Sequence, residues 1–377
     1  MRGGFAVLAT LSMLLGAHCA GERGTGVPIV RRSPVTAVAN GSARAPAARM
    51  TLGSAIGEST ESQLPMTDPS APITIAAVGD VMLARTIGDR IVGDAPQSPF
   101  AAVAPILRSA DVAIANLECA VGTGGTPAKK AFTFRAPPLA LGALLDAGID
   151  VVSLANNHAM DFGTGTFAET LTLLDDVKIA HAGAGMNEAA AHAPAIVEAR
   201  GYKVGFLGYV KVPVEGLGGF DTRSWEAAGR APGLAWADPE RIAGDVVAAK
   251  EQGADLVVVM IHSGFEQAQS PNIWQIAAAE AAIDAGASLV LGAHPHVLQG
   301  ARRYKKGFIA YSLGNFVFDG TDIVSAILKV TLDREGVKAI EWTPVILRNG
   351  YPQLTDELTG EYVRNLIKGL SMPLGTD

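Results

Sequence analysis

Cysteine is nearly absent from this chain of 377 residues: Cys19 and Cys119 are the two it has, and Cys19 lies in an N-terminal targeting segment. No intrachain disulfide is therefore expected in the mature protein. Aromatic residues amount to 6%, too few for a typical all-β sandwich core, whereas 43 glycines and many alanines suit helices packed closely on sheets. Positive charge is also in short supply. The formal net charge is -7, and setting aside the six arginines and four acidic residues of 1–72 leaves 24 Lys+Arg against 33 Asp+Glu in 73–377. A nucleic-acid-binding surface is excluded on that balance. Beyond the N-terminus no run approaches the roughly 20 apolar residues that span a bilayer. No Gly-x-Ser-x-Gly elbow occurs, which disfavours a serine hydrolase, and Gly122 to Gly125 lack the strand, Lys and Ser/Thr context of a phosphate loop.

What is present is enough apolar material, 49%, to bury a large core. Met1-Arg2-Gly3-Gly4, the apolar run Phe5 to Leu15 and small residues up to Ala20 predict a signal peptide over 1–20 and hence export to the periplasm or cell envelope. The order Leu15-Gly16-Ala17-His18-Cys19 is similar to a lipoprotein signal, in which Cys19 would carry a lipid anchor; simple cleavage near Ala20 is the alternative. Residues 21–72 are rich in Ala, Ser, Thr, Gly and Pro and lack periodicity, which predicts a disordered linker. The folded domain is expected over 73–377.

Within it, apolar runs and helical patterns alternate. Strands are expected at 73–79, 112–117, 149–154, 177–182, 256–261 and 287–291, with a hairpin from 194–199 and 203–210 and further strands at 308–313, 323–332 and 337–347. Helices are expected at 101–110, 139–147 stopped by Gly148, 166–176, from Asp238 to about Gln252, from Asn272 to Ala285, and 356–370. This pattern reads as α/β with a mixed sheet or a pair of sheets.

Five of the apolar runs end on chemistry: Asp80, Glu118, Asn156-Asn157-His158, His262 and His294-Pro295-His296. Strand ends are the usual address of a functional site in α/β proteins. Asp80 and Glu118 have no basic neighbour in sequence, and a buried unpaired carboxylate either takes a cation or is protonated. In an extended segment, the spacing of His294 and His296 would put both imidazoles on one side, suited to ligating one or two ions. Mixed imidazole, carboxylate and amide donors suit Zn²⁺, Mn²⁺ or Fe better than a hard-oxygen site does. Lys129, Lys130 and Arg135 on a Gly- and Pro-rich loop, and the basic run 302–306, are candidates for meeting a polyanion, against the alternative of a solvated face.

In order along the chain, Gly79-Asp80-Val81-Met82-Leu83, Asn116-Leu117-Glu118, Ser153 to His158, His262-Ser263-Gly264-Phe265-Glu266, Gly292 to Gln299 and Tyr311 to Phe318 resemble the CapA family of capsule and poly-γ-glutamate synthesis proteins, relatives of the calcineurin-like metallophosphoesterases. The resemblance covers 73 to about 320. It implies a four-layer metallophosphoesterase-like sandwich of two mixed β-sheets flanked by α-helices. It also implies a centre of one or two divalent ions (Mn, Fe, Zn or Mg) held by Asp80, Glu118, Asn157, His262, His294 and His296, with Glu118 as bridge and His158 as the acid. Asn156, Arg135, Glu266 and Asn315 are carried over as substrate-binding positions. The implied role is in synthesis, export or anchoring of an anionic surface polymer such as poly-γ-glutamate, alongside a membrane-bound synthesis complex. A polymer-binding scaffold with a vestigial site and an active metal-dependent hydrolase are the alternatives. Two departures stand out: Met82 replaces a ligating His of the related phosphoesterases, and Ser263 stands where the family often has Trp.

Overall fold

The computed structural model describes residues 71–94, 97–215, 219–320 and 322–375. The expected signal peptide, Cys19 and the expected linker over 21–72 lie outside the described residues, apart from Ala71 and Pro72. Two sheets dominate. The first has 8 strands, ordered Tyr351–Leu354, Gly336–Arg348, Val324–Asp333, Ile73–Val81, Val112–Leu117, Val151–Ser153 and Ala180–Ala182, with Asn315–Val317 pairing onto Ile73–Val81. Its last four strands in that order run parallel. The second has 6 strands, ordered Ala301–Tyr304, Gly307–Ala310, Leu289–Ala293, Leu256–Ser263, Tyr202–Lys211 and Ala195–Ala199, parallel at the centre and antiparallel at both edges.

Side chains alternate across each strand, and that period of two separates three cores. Ile75, Ala77, Val112 and Ile114 of the first sheet meet Val204, Phe206, Val258 and Met260 of the second. The intervening residues Ala76, Val78, Ala113 and Ala115 turn outward and pack under helices Leu141–Ala147 and Gly163–Asp176 through Leu144, Phe167 and Leu174. Val257, Val259 and Ile261 face outward from the second sheet, beneath Ile242 and Val246 of Pro239–Glu251 and Ala278 and Ala282 of Ile273–Asp284. The result is the helix, sheet, sheet, helix layering that the family resemblance implied.

Helix ends follow the sequence signals: Asp238 caps the Pro239 and Glu240 turn, Asn272 and Gln275 form a capping box, and Gly148 adopts φ 78°. Other expectations needed correction. The helix expected over 101–110 is a single turn, Ala104–Leu107, because Pro105 permits a helix start but little follows to extend it. Helix Arg85–Val92 and strands Ala301–Tyr304, Asn315–Val317 and Tyr351–Leu354 were not anticipated. The last three are four residues or shorter: Ala301–Tyr304 and Tyr351–Leu354 are arms of tight hairpins with Gly307–Ala310 and Gly336–Arg348, and Asn315–Val317 is a strand only through its distant pairing with Ile73–Val81. Among the described residues no helix is long and apolar enough to cross a membrane.

Candidate metal centre

The parallel strands of both sheets end on the same edge, and register sets what meets there. Asp80 stands opposite Asn116 on one neighbour and Asn315 on the other, while His262 pairs with Ala293, leaving His294 one residue beyond. Close backbone approach holds this edge together. A Cβ at Gly79 would sit 1.9 Å from the Gly314 carbonyl oxygen, and one at Gly292 would sit 1.8 Å from that of Tyr311, so each position excludes any side chain.

Six donor residues converge as two overlapping groups. Glu118, His262 and His294 form one and Asp80, Glu118 and His296 the other, with all ligand atoms of a group within 4.8 Å of one another, and both share Glu118. Its carboxylate lies 3.7 Å from His262 Nε2 and 3.8 Å from His296 Nε2. Asn157 Oδ1 is 2.9 Å and His294 Nδ1 3.1 Å from His262 Nε2, which gathers these donors with the first group. Asp80 Oδ2 is 3.3 Å from His296 Nδ1.

One expectation about this region changes. His294-Pro295-His296 is not extended: φ is 94° at His294 and 60° at His296, both left-handed, which L side chains adopt only under constraint. The turn parts the two imidazoles, with ring centroids 5.9 Å apart, so that each serves a different group.

The electrostatics fit a cation. Both oxygens of Glu118 are buried without a hydrogen-bond partner among the described residues, an arrangement that a polar group tolerates only when something else satisfies it. Burial first, then the charge of Asp80, drives its carboxyl well above the ordinary range. Burial holds the imidazoles of His262 and His294 well below theirs, so their nitrogen lone pairs are available as ligands at neutral pH. His296 differs. Burial lowers it, but Glu118 and Asp80 outweigh that and raise it to about 10. The buried His/Asp/Glu cluster is thus able to hold a metal ion.

The positioning network was mostly missed by sequence reasoning. Asn116 Nδ2 bridges Asp80 Oδ1 at 2.8 Å and His262 Nδ1 at 3.1 Å. His158 stacks on Phe134 with centroids 4.0 Å apart, its Nδ1 lies 2.6 Å from Asp161 Oδ2, and its Nε2 faces Glu118 at 4.0 Å. Burial, then Lys130, keeps His158 well below its usual value, whereas burial raises Asp161 to about 7 against the pull of Lys130. Lys130 is no solvated loop residue. Its fully buried ammonium lies 3.2 Å from Asp161 and 2.8 Å from Glu215 and donates to the Asn157 carbonyl. The i,i+3 spacing of His158 and Asp161 was the legible signal for this network.

The remaining positions fall as follows. Asn156 is fully buried, its amide donating to Leu117 and Asn116 and its oxygen accepting from the His158 amide, so it shapes the turn from inside. Arg135 donates to the Gly124 carbonyl and lies over Phe162. Asn315 meets His296 Nδ1 at 2.8 Å. Glu266 lines an open cleft of about 550 Å³ together with Phe132, Val214, Glu215, Phe265 and His294. Met82 is fully buried, and its sulfur accepts from the Ala84 amide. The basic run 302–306 does not reach the site. Its turn precedes Gly307–Ala310, whose Phe308 pairs with Leu289, so it sits where the central strands begin, with Arg302 and Lys305 on Glu280 and Asp284.

Comparison with known proteins places this geometry. The chain is 31% identical over 291 residues to "Capsule biosynthesis protein CapA" of Bacillus anthracis, covering 74% of this chain and 69% of that protein. It is 32% identical over 286 residues to "PGA biosynthesis protein CapA" of Bacillus subtilis, covering 74% and 73%. A "Probable polyglutamine synthesis accessory protein" of Mycobacterium tuberculosis is 27% identical over 321 residues, covering 79% and 83%. The model of the bacterial capsule synthesis protein family PGA_cap matches residues 74–320, a span that includes every donor of the cluster, and the chain belongs to that family.

Proposed function

We propose that this protein acts in the synthesis, export or anchoring of an anionic envelope polymer such as poly-γ-glutamate, from the periplasm or cell envelope, through a centre of one or two divalent ions. The observation that carries the metal part is Glu118, whose two buried carboxyl oxygens have no hydrogen-bond partner among the described residues and lie 3.7 Å from the unprotonated imidazole of His262. The polymer part is supported by the names of the relatives, which are proteins of capsule or polyglutamate synthesis. Asp80, Glu118 and His296 would hold one ion, and Glu118, His262, His294 and Asn157 the other. Mn²⁺, Fe, Zn²⁺ or Mg²⁺ are the ions in question, and such an ion supplies Lewis-acid activation of an ester, amide or water oxygen.

His158 then has a defined part. Asp161 engages its Nδ1 and leaves Nε2 toward the centre. Because its imidazole is unprotonated at neutral pH, His158 accepts a proton first and acts as an acid only after doing so. Asn156 acts as a positioning residue.

Elemental analysis of the purified chain tests the reading, alongside Mn²⁺-supplemented assays on γ-glutamyl chains and model phosphodiesters. Metal at background level in both the wild type and a reconstituted sample would refute the ion centre. Met82 favours a second reading, a polymer-binding subunit whose centre does not turn over, since its buried thioether offers a hard cation little. Polymer binding that persists in chelator without any turnover would select that reading.

A further inference from the structure

Arg85 lies five residues past Asp80, at the start of helix Arg85–Val92. Its φ is 54°, a left-handed conformation held without glycine, and its side chain is 45% exposed. The guanidinium lies 5.5 Å from the centroid of Phe134, the ring that stacks on His158, and Phe134 in turn meets Phe318, whose ring lies 4.9 Å from that of His296. These aromatic contacts link Arg85 to the half of the centre that contains His296. Only its Nε is occupied, 3.2 Å from Asp319 Oδ2, an oxygen that Thr86 also holds at 3.1 Å. Its two terminal nitrogens have no partner among the described residues. A guanidinium tethered at one edge, with the other edge open, is oriented to receive an anion through paired N–H groups.

The other cations considered cannot do this. Lys130 is fully buried between two carboxylates, Arg135 donates to a backbone carbonyl and covers Phe162, and the basic run 302–306 lies at the opposite end of the strands. The cleft beside His294 is walled by Phe132, Val214 and Phe265 with the carboxylates Glu215 and Glu266, so it does not favour an anion.

We propose that Arg85 is the anion-recognising residue of this site, its terminal nitrogens receiving a carboxylate or phosphate of the substrate presented to the Glu118 centre. This rests on the reading of the centre given above and goes beyond it by naming which residue selects the substrate's charge. A polymer of linked glutamates offers such a carboxylate on every unit, and a phosphoester offers the same anionic edge.

The test uses the full chain, Arg85→Gln and Arg85→Lys, with a short γ-glutamyl oligomer, its fully amidated counterpart and inorganic phosphate as probes. Binding is followed by calorimetry, and metal content and melting are measured on every variant. Arg85→Gln is expected to weaken the oligomer by about tenfold or more, as loss of a charge-assisted pair does, with unchanged metal content, while Arg85→Lys recovers part of the loss. The amidated oligomer should bind the wild type and Arg85→Gln equally poorly. If phosphate alone binds and depends on Arg85, the residue's role stands and the polyglutamate reading falls. Oligomer binding that ignores Arg85, or no binding of either anion to the wild type, overturns the proposal.

Discussion

The two halves of the centre share Glu118 yet differ in how their imidazoles are prepared. On one side, His262 and His294 are driven well below their ordinary value by burial, and Asn157 adds a neutral oxygen 2.9 Å from His262 Nε2. On the other, His296 sits between Glu118 and Asp80 and is raised to about 10, so without an ion the imidazolium itself serves as the counter-charge. The same side chain is therefore a ready ligand in one half and a proton-bearing stand-in for a cation in the other. At His262 burial, reinforced by His294 and His296, prevails although Glu118 and Asp80 lie 3.7 and 3.8 Å away, whereas at His296 the same two carboxylates outweigh burial. The first half should fill before the second.

The most damaging change to both halves is Glu118→Gln, which keeps the shape and removes the shared charge. Metal retained after dialysis is expected to fall roughly a hundredfold, and retention of an ion at wild-type affinity would show that the carboxylate is not a bridge. Next come the imidazoles taken singly. His294→Ala should abolish the tighter binding event, whereas His296→Ala should remove only the weaker one and leave the first near its wild-type affinity. Titration calorimetry reads both steps, and equal losses from the two variants would erase the distinction between the halves.

The scaffold beneath this contrast was largely legible in the sequence, and the contrast itself was not. Val112–Leu117 was placed to the residue, and the apolar runs ending on Asp80, Glu118 and His262 did converge, because strand burial imposes a pattern that local sequence records. Lys130 read as a candidate for meeting a polyanion or else as a solvated loop residue, since its partners Asp161 and Glu215 lie far along the chain. The left-handed turn at His294 and His296 was hidden because neither position is glycine, and the surrounding contacts, not local preference, impose it. The basic run 302–306 was a candidate for meeting a polyanion or else a solvated face, but its hairpin, with 301–304 paired to 307–310, sits where the central strands begin.

The halves also differ in the protons they hold. Because His296 is raised to about 10, an ion entering its half must displace a proton at neutral pH, while His262 and His294 have none to give. Saturating the wild type at pH 7.5 should release about one more proton than saturating His296→Ala, measured calorimetrically in buffers of different ionisation enthalpy. The sign carries over to stability of the metal-free chain. A histidine raised from 6.5 to about 10 stabilises the fold fully below 6.5 and loses that contribution as pH rises through about 10. Glu118, also raised, acts in the same direction because the fold favours its protonated form. Chelated protein should therefore melt lower at pH 10 than at pH 7; a higher melting point would mean His296 is not held as an imidazolium.

The smallest expected effect comes from supplying the donor that Met82 omits. Met82 follows Asp80 by two residues, but its sulfur already accepts the Ala84 amide 3.2 Å away, within a fully buried setting. In Met82→His the ring must choose. If Nδ1 takes over that amide, Nε2 keeps its proton and cannot ligate; if Nε2 ligates, the buried amide of Ala84 loses its acceptor. The two demands oppose each other, so second-half affinity should gain less than about tenfold and the metal-free chain should melt lower. A much larger gain would mean that one missing nitrogen was all that separated the halves. No gain at all, with lowered melting, would mean that position 82 belongs to the core and that the halves differ because of the carboxylates around His296.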